Sequence, residues 1–284
     1  MCIRERVKGP LLDYIQAIFF YLFGVNWQAY VLHASVFNAI ITISTFFILK
    51  NFKLKPEYCF LYSLLLSILA YPSSGTPFID HHSSFFSLLA IYSLLFAINN
   101  KRSYNWLLTP IFFVLAFLSK QVPAAYIILT LGFVLLLYFF TNKKIKYIQY
   151  FLIGTFSFII FILIFGNLQN ITLNSFLDQF IFYPQTIGLS RFSNLSLSLN
   201  IAEKFVFILI SISLLIYVNI NSFFVIKNYK KNNEFFFFLI LLSFLLSLVL
   251  HQLLTKNQTY IFFLIPIFTA FSQSSIEKNN LKYK

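Results

Sequence analysis

Charge is scarce in this sequence. Of its 284 residues, only 10% are Asp, Glu, Lys or Arg, while 59% are hydrophobic. A soluble domain carries about 25% charged residues. A chain this poor in charge cannot cover a globule with polar surface, which excludes an ordinary water-soluble fold. A bilayer accepts such side chains, and it forces the backbone to satisfy its own hydrogen bonds, so only helices or closed barrels can cross it. The polar–apolar alternation of barrel strands is missing as well. Apolar runs are continuous, as in Phe235-Phe236-Phe237-Phe238-Leu239-Ile240-Leu241-Leu242. The expected fold class is all-α, a polytopic transmembrane helical bundle, with residues 1–284 forming a single transmembrane domain.

Other absences narrow the function. Acids are few, 8 against 21 Lys and Arg. No span carries a ladder of ionisable residues, which excludes proton pumps and voltage sensors. Cys2 and Cys59 have no metal or redox spacing. There is no P-loop, no His-Glu-x-x-His, no dinucleotide fingerprint and no Ser nucleophile elbow. No internal repeat supports a repeat-built transporter. The net charge of +13 does not indicate nucleic acid, because the cations sit in short clusters between apolar runs, as topology signals do.

What is present is a series of nine apolar segments, at 29–49, 58–72, 82–98, 105–120, 123–140, 148–166, 204–226, 234–253 and 259–273. About 20 apolar residues cross a bilayer core of about 30 Å. Segments 58–72 and 259–273 are short for that, and Pro266 is expected to kink the last. One set of alternate loops holds Lys50, Lys53 and Lys55; Lys101 and Arg102; Lys143, Lys144 and Lys146; and Lys227, Lys230 and Lys231, with Lys278, Lys282 and Lys284 in the tail. The opposite set holds only Lys120, Arg191, Lys204 and Lys256. The positive-inside rule makes the first set cytoplasmic. It places the C-terminus in the cytoplasm and the N-terminal stub, with Arg4, Arg6 and Lys8, outside. The expected location is the bacterial inner membrane. No apolar h-region follows the stub, so it is not a signal peptide. An upstream helix missing from a truncated gene or a misplaced start is the preferred explanation; a first span inserting as a reverse anchor is the other.

Residues 11–23 are too short to span. Leu11, Leu12, Ile15, Ile18, Phe19 and Leu22 recur at helical spacing, with Asp13 and Gln16 on the other face. This predicts an interfacial helix on the outer side, stopped at Gly24, with Trp27 in the aromatic belt. The outer loop 167–203 carries a second short amphipathic helix over 174–183, ending near Pro184, and an irregular stretch over 190–200.

Polar groups in apolar surroundings need a partner or a purpose. Asp80-His81-His82-Ser83 lies at the outer mouth of the third span. Asp80 is read either as a helix N-cap or as a cap that also contacts substrate. A metal held by Asp80 and His81 is a further reading, although adjacent His residues diverge by about 100° on a helix. Lys120 sits in a tight outer turn, where it either snorkels or holds a lipid phosphate. Asp13 and Glu5 are further outer acids, and Arg191 and Lys256 are candidate phosphate contacts. His33 and His251 lie within or at the ends of spans, and His33 is expected to make a structural hydrogen bond to Asn38 or a neighbouring helix.

Gly9-Pro10-Leu11-Leu12-Asp13-Tyr14 followed by Phe23-Gly24-Val25-Asn26-Trp27 resembles the outer interfacial helix of the GT-C membrane glycosyltransferases, relatives of dolichyl-phosphate-mannose mannosyltransferases and lipid A aminoarabinose transferases. Asp80-His81-His82-Ser83 resembles their second outer acidic motif, and Leu115-Ala116-Phe117-Leu118-Ser119-Lys120-Gln121 the end of a span where a basic residue meets the carrier phosphate. The resemblance implies an inverting transfer of sugar from a polyprenyl phosphate to an envelope glycan, lipid or protein. In it an acid acts as general base (Asp80, with Asp13 and Glu5 weaker), and Lys120, His81, His82, Arg191 and Lys256 meet substrate or phosphate. A divalent metal is compatible with the family's chemistry. The family's catalytic acid usually follows a first span, the one expected to be missing upstream here, and nothing around Glu5 makes a convincing match to it. A flippase or exporter of lipid-linked glycan, or a membrane subunit without a site of its own, are the alternatives. A flippase would place cations deep inside several spans, and the sequence shows none.

Overall fold

The computed structural model describes residues 9–71, 75–100, 102–142, 145–193, 205–225, 233–255 and 261–282. Among these residues the elements are helical and no strand occurs. In chain order they are α1 (Pro10–Phe23), α2 (Trp27–Asn51), α3 (Pro56–Ala70), α4 (Ile79–Asn100), α5 (Ser103–Ser119), α6 (Gln121–Asn142), α7 (Ile145–Leu168), α8 (Leu173–Leu177), α9 (Tyr183–Ser193), α10 (Val206–Val225), α11 (Asn233–Thr255) and α12 (Leu264–Lys282). Each of the nine apolar segments coincides with one of α2–α7 or α10–α12. Among the described residues five helices are long and apolar enough to cross a membrane: α2, α4, α6, α7 from Lys146, and α11. The protein is an all-α integral membrane bundle.

Local chemistry sets the helix ends. Pro10 and Pro56 open α1 and α3, where a missing N–H costs nothing. Asn26 caps α2, its side chain accepting from Ala29 N at 2.7 Å. Its amide donates back to Phe23 O at 2.8 Å, and Gly24 turns the chain at φ +81°, a backbone angle that side chains disfavour. The corner between α1 and α2 is therefore tight.

Helix α4 is the centre of the bundle. Of its most apolar stretch 89% is buried, against 6% for α7. Small residues allow this, since Ser83, Ser84, Ser87, Ala90 and Ala97 are all fully buried and let neighbouring backbones approach closely. Polar contacts tie the helices together: Thr45 Oγ1 to Tyr92 OH at 2.8 Å, Ser93 Oγ to Asn105 O at 2.9 Å, and Thr130 Oγ1 to Ser247 Oγ at 2.9 Å. Helix α7 lies at the edge and exposes Leu152, Phe156, Ile160, Phe161 and Ile164, a face suited to lipid and not to water.

Three local expectations are corrected. Pro266 does not kink the last helix, because α12 starts at Leu264 and the proline falls in its first turn. That helix also runs past 273 to Lys282. The amphipathic helix of the long loop does not stop at Pro184. It continues through a π-turn at Asp178–Phe182 into α9 and ends at Ser193, so the start of the stretch read as irregular is helical. Residues 194–200 lie outside the described residues.

Candidate active site

The site forms where three helix ends meet. Asp80 lies in the first turn of α4, Lys120 is the extended residue between α5 and α6, and His251 sits one turn before the end of α11. Lys120 Nζ donates to Asp80 Oδ1 at 2.5 Å, and His251 Nε2 to the same oxygen at 3.1 Å. Ser83 Oγ donates to Lys120 O at 3.2 Å, locking the α4 start against the α5–α6 turn. Asp80 is 4% exposed and His251 1%. A lone carboxylate at that depth would cost several kcal/mol, so the ammonium beside it is what keeps it there as an anion.

Beside this cluster opens a cleft walled by Lys120, Gln121 and Tyr126 on one side, Ile187 and Gly188 of α9 on another, and His251 and Leu254 of α11. Lys120 and His251 both line it, while Asp80 stands behind them. The arrangement presents one cation and one imidazole to an apolar-walled cleft, held from behind by a shared carboxylate. It can receive an anion and take up a proton.

The sequence candidates separate accordingly. Asp80 and Lys120 come together as a pair. Asp80 is not an N-cap: it lies inside the helix and its carboxylate is turned sideways to Lys120 and His251. His81 and His82 diverge as helical neighbours must. His82 Nε2 meets His33 Nε2 at 3.0 Å, while the His81 ring lies between Phe78 and Phe85 at 5.7 and 5.9 Å. Among the described residues no group of three or more His, Cys, Asp or Glu side chains is placed to hold a metal ion. Asp13 is exposed on α1, with no hydrogen bond or ion pair to the cluster. Arg191 lies on α9, with its side chain outside what is described; Glu5 and Lys256 fall outside the described residues.

His33 makes the expected bond to a neighbouring helix, pairing with Gln16 Oε1 at 2.7 Å and with His82 at 3.0 Å, whereas Asn38 donates to Ser67 O at 2.9 Å. The contact of Gln121 has no forerunner in the sequence. Gln121 Nε2 donates to Phe180 O at 3.2 Å. That carbonyl is the one Pro184, four residues on and lacking an N–H, cannot satisfy. Gln121 thus pins the loop helix over the cleft, and Gln121→Leu is expected to cost about 1–3 kcal/mol by stranding the carbonyl. A lower melting temperature of the purified variant checks this.

A helical membrane bundle with a buried acid–cation pair beside an apolar-walled cleft, the resemblance of its motifs, and an α1 lying beside that pair define a GT-C-type membrane glycosyltransferase. The family model for dolichyl-phosphate-mannose-protein mannosyltransferases matches residues 7–165, more than half of the chain, and the protein belongs to that family. The match covers α1 through most of α7, with Asp80 and Lys120 inside it and His251 beyond it. No curated protein and no solved structure matches the chain significantly.

Proposed function

We propose that the protein transfers a sugar from a polyprenyl-phosphate donor to an envelope glycan, lipid or protein on the extracytoplasmic face, with inversion at the sugar carbon. The observation that carries this is the Asp80–Lys120–His251 cluster at the cleft. Lys120, with His251 beside it, meets the donor phosphate. The acceptor oxygen attacks the anomeric carbon, the bond from that carbon to the phosphate oxygen breaks, and the phosphate leaves onto Lys120. The acceptor proton passes to the Asp80–His251 pair, which Lys120 releases as it turns to the phosphate. Preorganised cations at a developing phosphate charge are a large source of rate, and a carboxylate–imidazole pair is a competent base.

The extracytoplasmic placement rests on the loop asymmetry of Lys and Arg. In the intact protein, a tag inserted after Asn142 should be cytoplasmic and one inserted at Gly75 external. Both on one side would remove the sidedness. The direct test of the reading is turnover: purified protein in proteoliposomes should release polyprenyl phosphate from a polyprenyl-phosphate sugar only when an acceptor is supplied. Transbilayer movement of the donor without cleavage would favour the flippase alternative.

A further inference from the structure

Helix α1 is tied to both backbone segments that carry the acid–cation pair, directly at Ser119 and through His33 of α2 at the start of α4. At its start, Gly9 N donates to Ser119 O at 3.1 Å, one residue before Lys120. A Cβ on Gly9 would lie 1.7 Å from Leu118 O, so only glycine fits this approach. In its middle, Gln16 meets His33 Nδ1 at 2.7 Å, His33 Nε2 meets His82 Nε2 at 3.0 Å, and His82 Nδ1 donates to Phe78 O at 3.1 Å. That chain ends on the first turn of α4, two residues either side of Asp80. Gln16, His33 and His82 are 8%, 0% and 2% exposed, and Phe19 of α1 stacks on His33 with ring centres 4.8 Å apart. Buried polar chains of this kind hold one arrangement because any break strands a group.

We infer that α1 is a clamp across the site, and that Gln16, His33 and His82 are positioning residues which set Asp80 against Lys120. The inference rests on the transferase reading for its catalytic part alone. The chain also has a direction. His82 gives its Nδ1 proton to Phe78 O, so its Nε2 accepts. With the Gln16 amide presenting NH2 to His33, both imidazoles close the chain while neutral; with Oε1 toward His33, one extra proton is shared between the two Nε2 atoms. A group at position 16 that cannot hydrogen-bond breaks either form, whereas one that only accepts keeps the second.

The test uses the full chain in phospholipid nanodiscs, with Gln16→Leu, Gln16→Glu and Gly9→Ala. Gln16→Leu and Gly9→Ala should each speed amide hydrogen exchange over residues 10–23 by about tenfold or more, leaving 121–142 unchanged. Both should lower kcat by about 100-fold, the scale of a small misplacement of reacting groups, with KM for the lipid donor within about twofold. Gln16→Glu should stay near the parent in both readouts. Should Gly9→Ala not fold, Gln16→Leu carries the test. Unchanged exchange in Gln16→Leu overturns the clamp. Faster exchange with kcat intact, or a change in KM alone, overturns the positioning role and leaves α1 a membrane anchor. A parent protein silent toward polyprenyl-phosphate sugars counts against the transferase reading, and the exchange comparison then decides the clamp by itself.

Discussion

Lys120→Ala is expected to lower kcat for sugar transfer by roughly 10²–10³-fold, the usual loss when a preorganised charge-stabilising group is removed. The ammonium lines the cleft and is 2.5 Å from Asp80, so no neighbouring solvent can replace it cheaply. The same change leaves Asp80 with only His251. Breaking one side of a buried ion pair typically costs about 3–5 kcal/mol, so the variant must be shown to be monodisperse before its activity is read. Lys120→Arg keeps the cation and should retain the fold and part of the turnover. Full turnover by Lys120→Ala would leave the cleft without its phosphate contact.

Asp80→Asn is expected to be as damaging, by about 10²–10⁴-fold in kcat, the range for losing a catalytic proton acceptor. The substitution preserves shape and removes the charge that both Lys120 and His251 share. Because the three act as one unit, Asp80→Asn combined with Lys120→Ala should be little worse than either alone. Initial rates of polyprenyl-phosphate release for the two single variants and the double variant decide this. Strictly multiplicative losses would mean that the groups act separately.

Much of the bundle could be read from hydropathy alone, because a bilayer imposes length and apolarity on every crossing segment. Local breaks are harder to read: a proline suggests a kink at 266 and a stop at 184, but Pro266 sits in a first helical turn and Pro184 is accommodated by a π-turn and by Gln121 from another helix. Asp80 and Lys120 stood out because polar residues are rare at such depth. His251 did not, since a single histidine near the end of a span is usually packing, and only the fold brings it to a residue 171 positions away. His33 and His82 stand out as polar residues in apolar surroundings, but nothing in the sequence joins them to each other or to Gln16, because hydrogen bonding across three helices leaves no mark in local periodicity.

On the proposed mechanism, the donor's phosphate end is received at the Lys120–His251 cleft. A polyprenyl phosphate carrying a photoactivatable group next to the phosphate, cross-linked to the protein in proteoliposomes and mapped by mass spectrometry, tests it directly. Labelling should concentrate on Tyr126, Ile187 and Leu254, which wall that cleft, and should be competed by unmodified polyprenyl phosphate. Competed labelling at the separate pocket lined by Phe52, Phe237 and Lys278, with none near Lys120, would contradict the account.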